Sequence, residues 1–483
     1  MFARHTSRSP AVLLVLGALA VLSTGTGAAG PGWGPLAGPN PFLGPTGTAT
    51  MHGDAGSSDA VPHAGPGPGA RVVGGYPLGA ACPTLLQGSD GLVVALCTAV
   101  ADRAPVVHLI DPSAGGNPDT GSAMSGSLAQ LTLAKGGLLG GVYAYLDHAD
   151  RLVVVDGNRA LLRIAHERGA RGWELRVVEA VDLTTAVPAD DGVTGLVPDR
   201  SGTVWFATEN GIVGTVTAEG VIATLTLPAE EKVANSISSA PSGRVAVATT
   251  HALYEFGTDA SGKPVRLWRA AYDRGPARKP GQLSWGTGST PTYFGPDTGA
   301  DYLTIVDNAA DQVKVLVFRS GSGELVCSRP VLSNGGAGSE NSPIGIGGSV
   351  FVASTYGYPY PAVPAGAGPA QPGTAPFTGG MTRVDVDRDG CRTVWENTVR
   401  SAAVPHLSTA DGLMYTVIRD GTPNTTPIDG YSFTVIDPED GAVVSRNALP
   451  PTLLADPLQT SPLILRNGEV LQGVTTGIVR IGR

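Results

Sequence analysis

The stretch Tyr431-Ser-Phe-Thr-Val-Ile-Asp437-Pro-Glu-Asp-Gly441-Ala-Val-Val-Ser445 reads as two strands joined by a tight turn that opens on Asp and closes on Gly. β-Branched and aromatic residues on both arms favour a pleated hairpin, and the Asp-Pro and Gly positions supply its turn chemistry. The Asp-to-Gly spacing recurs in Asp111-Pro-Ser-Ala-Gly115. Arg319-Ser-Gly-Ser-Gly323 keeps it without the Asp, and Met381 to Trp395 holds a looser version. A hairpin repeated in this way marks small sheets arranged around a ring.

Working outward, similar units begin near Cys82, Val142, Val193, Ser236, Thr290, Ser342, Val404 and Ser461. Their spacing of roughly 40–60 residues is that of propeller blades. The expected fold class is therefore all-β, a single β-propeller of four-stranded blades. Eight blades are expected, with seven the alternative if the Cys82 and C-terminal segments merge. The third unit is the most legible: Thr203-Val-Trp-Phe-Ala-Thr208 turns at Glu209-Asn-Gly211 into Ile212-Val-Gly-Thr-Val216, and Asn-Gly suits a hairpin because both residues tolerate positive φ. Thr290-Pro291, Ser342-Pro343 and Ser461-Pro462 open later units, with Val404-Pro405 a variant. Proline is tolerated at the first residue of a strand. The last unit, Gln459 to Arg483, offers three strands only. The segment near Arg71-Val-Val73 could supply the fourth and clasp the ring shut.

The composition agrees: 483 residues with 68 Gly, 39 Pro and only 15% charged residues describe a chain of many turns. Arg4, His5 and Arg8 precede an apolar run from Ala11 to Leu22 and then Gly27-Ala28-Ala29, the pattern of a signal peptide over residues 1–29. The run is too short to span a bilayer comfortably, so a secreted, extracellular monomer with no integral membrane segment in the mature chain is expected. Residues 30–70 are rich in Gly, Pro, Ala and Ser and read as a flexible, disordered leader, with Trp33, His52 and His63 given no role. The propeller then occupies 71–483. The net charge of −9 and the scattered Lys and Arg argue against a nucleic-acid partner.

Export permits disulfides. Cys82 and Cys97 flank Gly88-Ser-Asp-Gly91 symmetrically, so a hairpin would set them opposite each other, and Cys327 and Cys391 pair by elimination. No CxxC pattern points to redox or zinc chemistry.

Phe433 to Val444, and Asn341-Ser-Pro-Ile-Gly-Ile-Gly-Gly-Ser-Val-Phe-Val-Ala-Ser354, resemble the repeats of quinoprotein-alcohol-dehydrogenase-like (PQQ-like) β-propellers, and the third unit is similar to streptogramin lyase and sensor-type propellers. The resemblance covers most of residues 82–483. It implies a propeller scaffold and, in the dehydrogenases, a PQQ cofactor. In that family a Trp follows the Asp/Gly turn and docks neighbouring blades. The equivalent positions here are Asp119, Cys327 and Ser445, and Trp395 lies one residue late after Gly390. Adjacent cysteines are also missing, so PQQ is not expected.

Several groups could carry function. Asp385-Val-Asp387-Arg-Asp389-Gly390-Cys-Arg-Thr393-Val-Trp-Glu396 matches a calcium loop, with oxygen ligands at Asp385, Asp387, Asp389 and Glu396. Its flanks read as strands, so a plain hairpin competes with a structural Ca²⁺ site. At the openings of the inner strands, Asp191, Asn235, Trp285, Glu340, Asn341, His406 and Gln459 would converge on a funnel, either lining a wet channel or holding a ligand or hard cation. Tyr356-Gly-Tyr358-Pro-Tyr360-Pro361 opens an insertion whose tyrosines could contact a sugar, peptide or protein. No Gly-x-Ser-x-Gly elbow of an α/β-hydrolase is present. The expected function is binding of a small molecule, saccharide or protein through the funnel and the tyrosine loop. The alternative is a metal-assisted hydrolase or lyase acting on a lactone or ester with Glu340, Asn341 and His406 near the cation, and a PQQ-dependent oxidoreductase comes third.

Overall fold

Each repeat of the sequence folds as one antiparallel sheet, and eight such sheets stand in a ring. The computed structural model describes residues 1–2, 32–114, 126–137, 142–334, 337–387, 390–424 and 430–483. The expected signal segment from residue 3 onward falls outside these, as does Asp389. The innermost strands, Ala80–Gln87, Tyr145–Leu146, Val193–Pro198, Ser238–Ser239, Thr292–Phe294, Ile344–Ile346, His406–Ser408 and Leu463–Ile464, start within three residues of the expected openings and define blades 1 to 8. Seven blades are built from consecutive strands. In blade 8, Arg71–Pro77 pairs antiparallel with Gly477–Gly482 as the outermost strand, the expected clasp. Ala80–Gln87 packs against Val470–Val474, so blade 1 meets blade 8 and the ring closes.

Burial follows from position. In blade 7, Met414–Arg419 and Tyr431–Ile436 are buried throughout, because both faces meet neighbouring blades. The outer strand Val443–Ala448 is mostly exposed or half-buried and correspondingly polar.

Docking between blades corrects one expectation. A bulge in the third and fourth strands of blades 4 and 6 shifts the register between Glu255 and Phe256 and between Arg383 and Val384, which sets Trp268 opposite Glu255 and Trp395 opposite Arg383. Trp268 then covers Gly323 in the blade 5 turn, and Trp395 covers Gly441 in the blade 7 turn while its Nε1–H donates to the Pro438 carbonyl at 2.9 Å. The docking tryptophans are therefore present, displaced along the sequence by the bulged residue. At the same place in blade 5 stands Cys327, opposite Val317 just past its own bulge. It is bonded to Cys391 of blade 6, so a disulfide replaces the aromatic contact. Cys82 and Cys97 are joined within blade 1. Replacing Trp395 by Ala is expected to cost about 3 kcal/mol, read as a lower urea midpoint. An unchanged midpoint would remove its role as a dock.

The segment read as a disordered leader is folded. Trp33 packs edge-on against Phe351 and under Arg383, and Asn40 Nδ2–H donates to the Pro198 carbonyl at 2.9 Å, both at the end of the ring where the inner strands finish. The chain then climbs the central channel, turns at Thr50–Gly53, and descends. Its carbonyls accept from inner-strand amides on the way: Ala49 from Leu146 at 3.1 Å, Ala55 from Ser239 at 2.7 Å, Gly56 from Tyr293 at 2.9 Å, Ser58 from Gly345 at 3.0 Å and Asp59 from Leu407 at 2.9 Å. Ala60–Val61 lies parallel to His406–Ser408 as an extra inner strand. Small residues suit this narrow path, and the ordering entropy is offset by hydrogen bonds to ready-made sheet edges rather than by an apolar core of the segment's own.

Candidate functional site

Inner strands all begin at one end of the ring, so the residues just ahead of them form a rim there. Val142, Asn235, Thr290, Ser342, Val404 and Thr460 surround a cavity of about 400 Å³. Met51 and His52, at the tip of the threaded segment, line it as well, and the channel is thereby converted into a cup with a floor. The walls are mainly apolar, with Ala81, Pro83, Leu283, Pro361 and Val474 among them. Leu458 and Gln459 on the wall hold φ of 56° and 55°, left-handed values that cost β-carbon-bearing residues energy. Gln459 is fixed there by two bonds: its Oε1 accepts from Asn341 Nδ2 at 3.0 Å, and its Nε2 donates to the Ser401 carbonyl at 2.8 Å.

Three polar features lie at or beneath this surface. His52, Tyr143 and Glu340 line the cup, whereas Asp59 lies under its floor. Asp59 is wholly buried and takes three side-chain donors: His52 Nδ1 at 2.9 Å, His406 Nε2 at 3.0 Å and the Ser342 hydroxyl. Burial pushes its carboxyl up, but the two imidazoles and their hydrogen bonds outweigh this and hold it below the ordinary value. With Nδ1 donating, His52 presents Nε2 as an acceptor, 3.4 Å from Thr290 Oγ1. Tyr143 stacks on the His52 ring with centroids 6.4 Å apart, and its hydroxyl reaches Thr290 and the Ser236 backbone. Glu340 is the third. Neither carboxyl oxygen is exposed or makes a well-formed hydrogen bond. Burial lifts its pKa to about 8, with the Leu283 amide and the Arg278 guanidinium offsetting only part of the cost. It is a neutral acid at pH 7.

Of the expected funnel residues, Asn235, Glu340, Asn341 and Gln459 do meet at the cup. His406 lies below the floor, on Asp59. Asp191 accepts from the Gly192 amide and from the Asn210 amide of the next turn in blade 3, and Trp285 lies under Arg274, whose guanidinium stands 3.7 Å from the ring centroid. The tyrosine loop does not form an outward platform. Tyr358 is buried against Phe377 with its hydroxyl on Asp456, Tyr356 is half-buried, and Tyr360 contributes to the cup wall. In the expected calcium loop, Asp385 is bonded to Arg383 and Arg392, while Glu396 accepts from Ser333 and Asn334. Asp385 pairs with Arg392 and Glu396 with Thr382, so these two acids sit at different levels of one hairpin. Among the described residues no cluster of three or more His, Cys, Asp or Glu has metal-binding geometry. His52, Asp59, Tyr143 and Thr290 were not anticipated as site residues. The Thr290-Pro291 and Ser342-Pro343 openers were the usable signal, since such openers face the rim.

No family model matches the chain, and no curated protein does. Among solved structures, quinohemoprotein alcohol dehydrogenase ADHIIG from Pseudomonas putida HK5 aligns over 90% of this chain and 80% of its own, at 11% identity and a TM-score of 0.55. BamB from Moraxella catarrhalis covers 66% of this chain and 93% of its own at 15% identity and a TM-score of 0.34. Virginiamycin B lyase from Staphylococcus aureus covers 70% and 94% at 12% identity and a TM-score of 0.39. Among the described residues lining the cup the only Lys or Arg is Arg103, which is exposed. The eight-bladed ring and this alignment together give the chain an eight-bladed β-propeller fold like that of the quinohemoprotein alcohol dehydrogenase.

Proposed function

We propose that this chain binds a small, mainly apolar molecule in the cup, oriented by hydrogen bonds at its floor and wall. The observation that carries the reading is a closed-bottomed cavity of about 400 Å³ with apolar walls and a few convergent polar groups, the usual make-up of a small-molecule site. Two disulfides fit an extracellular or periplasmic setting. Among the described residues no helix is long and apolar enough to cross a membrane.

An uncharged naphthyl fluorophore is the test probe. Saturable one-to-one binding is expected, and Val474→Trp, which fills the cup from blade 8, is expected to weaken it by about tenfold or more. Binding that is absent, or indifferent to Val474→Trp, would refute the reading.

A further inference from the structure

We propose that Thr290, His52 and Asp59 form a nucleophile, base and carboxylate relay on the floor of the cup, acting on esters with a compact apolar acyl group. The substrate class rests on the binding reading above, because the cup must first hold the acyl group.

The geometry has the required order. Asp59 Oδ1 lies 2.9 Å from His52 Nδ1, and His52 Nε2 lies 3.4 Å from Thr290 Oγ1. A base oriented by a buried carboxylate and facing a hydroxyl is the arrangement that activates an alcohol nucleophile, and such contacts are commonly loose before substrate binds. Asp59 is immobilised from two further sides, by His406 and Ser342. Its ionised state requires a proton on His52 Nδ1, which leaves Nε2 free to accept. Ser342 Oγ also lies 3.0 Å from Nδ1, on the carboxylate side of the ring, so it steadies the dyad and does not compete for Nε2. The fold explains the assembly: Thr290 opens the inner strand of blade 5, while His52 and Asp59 are bracketed on the threaded segment by the bond from the Asp59 amide to the His52 carbonyl, 3.0 Å. The relay is complete only when the N-terminal segment is in the channel.

In the first step Thr290 Oγ bonds to the acyl carbon as its proton passes to His52 Nε2. The carbon–oxygen bond of the ester breaks, and the alcohol departs with that proton. Water then adds to the acyl-threonine, giving a proton to Nε2. The Thr290 ester bond breaks, Thr290 recovers the proton, and the carboxylic acid leaves. The Tyr143 hydroxyl, held protonated mainly by burial, stands beside Thr290. Asp59 is a positioning residue in this scheme.

p-Nitrophenyl acetate serves as the probe, with the purified full chain. Wild type is expected to release p-nitrophenolate above the buffer rate and to carry an acetyl group on the peptide containing Thr290 after acid quench. Thr290→Val should lower release by about 100-fold or more while still binding the naphthyl probe, and Thr290→Ser should retain it. Asp59→Asn should lower kcat with KM little changed, a split that a collapsed cup would not give. Release no faster than buffer, acetylation at another residue, or full activity in Thr290→Val would each overturn the relay. If the naphthyl probe binds and acylation fails, the relay alone is wrong; if the probe does not bind, the cup reading falls with it.

Discussion

Asp59→Ala is expected to destabilise the protein by about 3–5 kcal/mol, the range for removing one partner from a buried charged cluster. The substitution leaves the His52 and His406 N–H groups and the Ser342 hydroxyl facing a site with no solvent. The His406 N–H is then a buried donor without an acceptor, and His52 Nδ1 and the Ser342 hydroxyl are left with only each other, 3.0 Å apart. Two of the donors, Ser342 and His406, belong to blades 6 and 7, whereas Asp59 belongs to the threaded segment, so the loss should also free that segment from the ring. Urea denaturation would measure the first effect. Amide hydrogen exchange at residues 52–61 would show the second as faster exchange. The pH dependence has a definite sign. The folded pKa of Asp59 lies below the ordinary 3.8, so its contribution is fully present above that value and fades as pH falls through the folded pKa. Wild type should therefore lose more stability than Asp59→Ala below about pH 4, and parallel acid limbs would contradict the assignment.

The same cluster shows which parts of the molecule a sequence announces. Blade openings were legible because Val193, Thr290, Ser342 and Ser461 sit beside turn-forming residues and before apolar strands, and a local pattern is enough to fix a local strand. The clasp was legible through a shortage, since Gln459 to Arg483 could not fill a blade. Cys82 and Cys97 were legible because one hairpin relates them. The docking position of Trp395 was misjudged by one residue, because a bulge is a property of the paired strands and leaves no fixed mark on either alone. Residues 32–70 failed for a deeper reason. Their apolar content is low, but their stability is borrowed from inner-strand edges of blades far away in sequence, Ser239, Tyr293, Gly345 and Leu407 among them. Composition counts what a segment can bury on its own and is blind to acceptors that a completed ring would satisfy. The polar groups of the floor were hidden by the same error: once the leader is taken as disordered, His52 and Asp59 have no neighbours, and Thr290 is only a strand opener.

Glu340→Gln is expected to act in the opposite direction and stabilise the protein. The folded chain keeps Glu340 neutral up to about pH 8, whereas the ordinary value is 4.5. Between those limits the unfolded chain releases a proton that the folded chain retains, so stability is greatest below 4.5 and declines as pH rises to about 8. Glutamine is neutral throughout and carries no such decline. The gain should be negligible near pH 4, about 3 kcal/mol at pH 7, and level at about 5 kcal/mol above pH 8. Chemical denaturation of both proteins across this range is the measurement, and curves of equal slope would show that Glu340 ionises inside the fold. A side chain whose replacement by its own amide strengthens the fold is not there for the fold. Glu340 stands beside Asn341 on the cup wall, in the electrostatic reach of Tyr143 and Tyr360. Held neutral, its carboxyl carries an O–H donor and acceptor oxygens without a well-formed partner, just behind the wall that Asn341 and Gln459 share. Gln offers both kinds of group as well, so Glu340→Gln should keep binding of the naphthyl probe. A loss of that binding would show that the acidic proton itself is used.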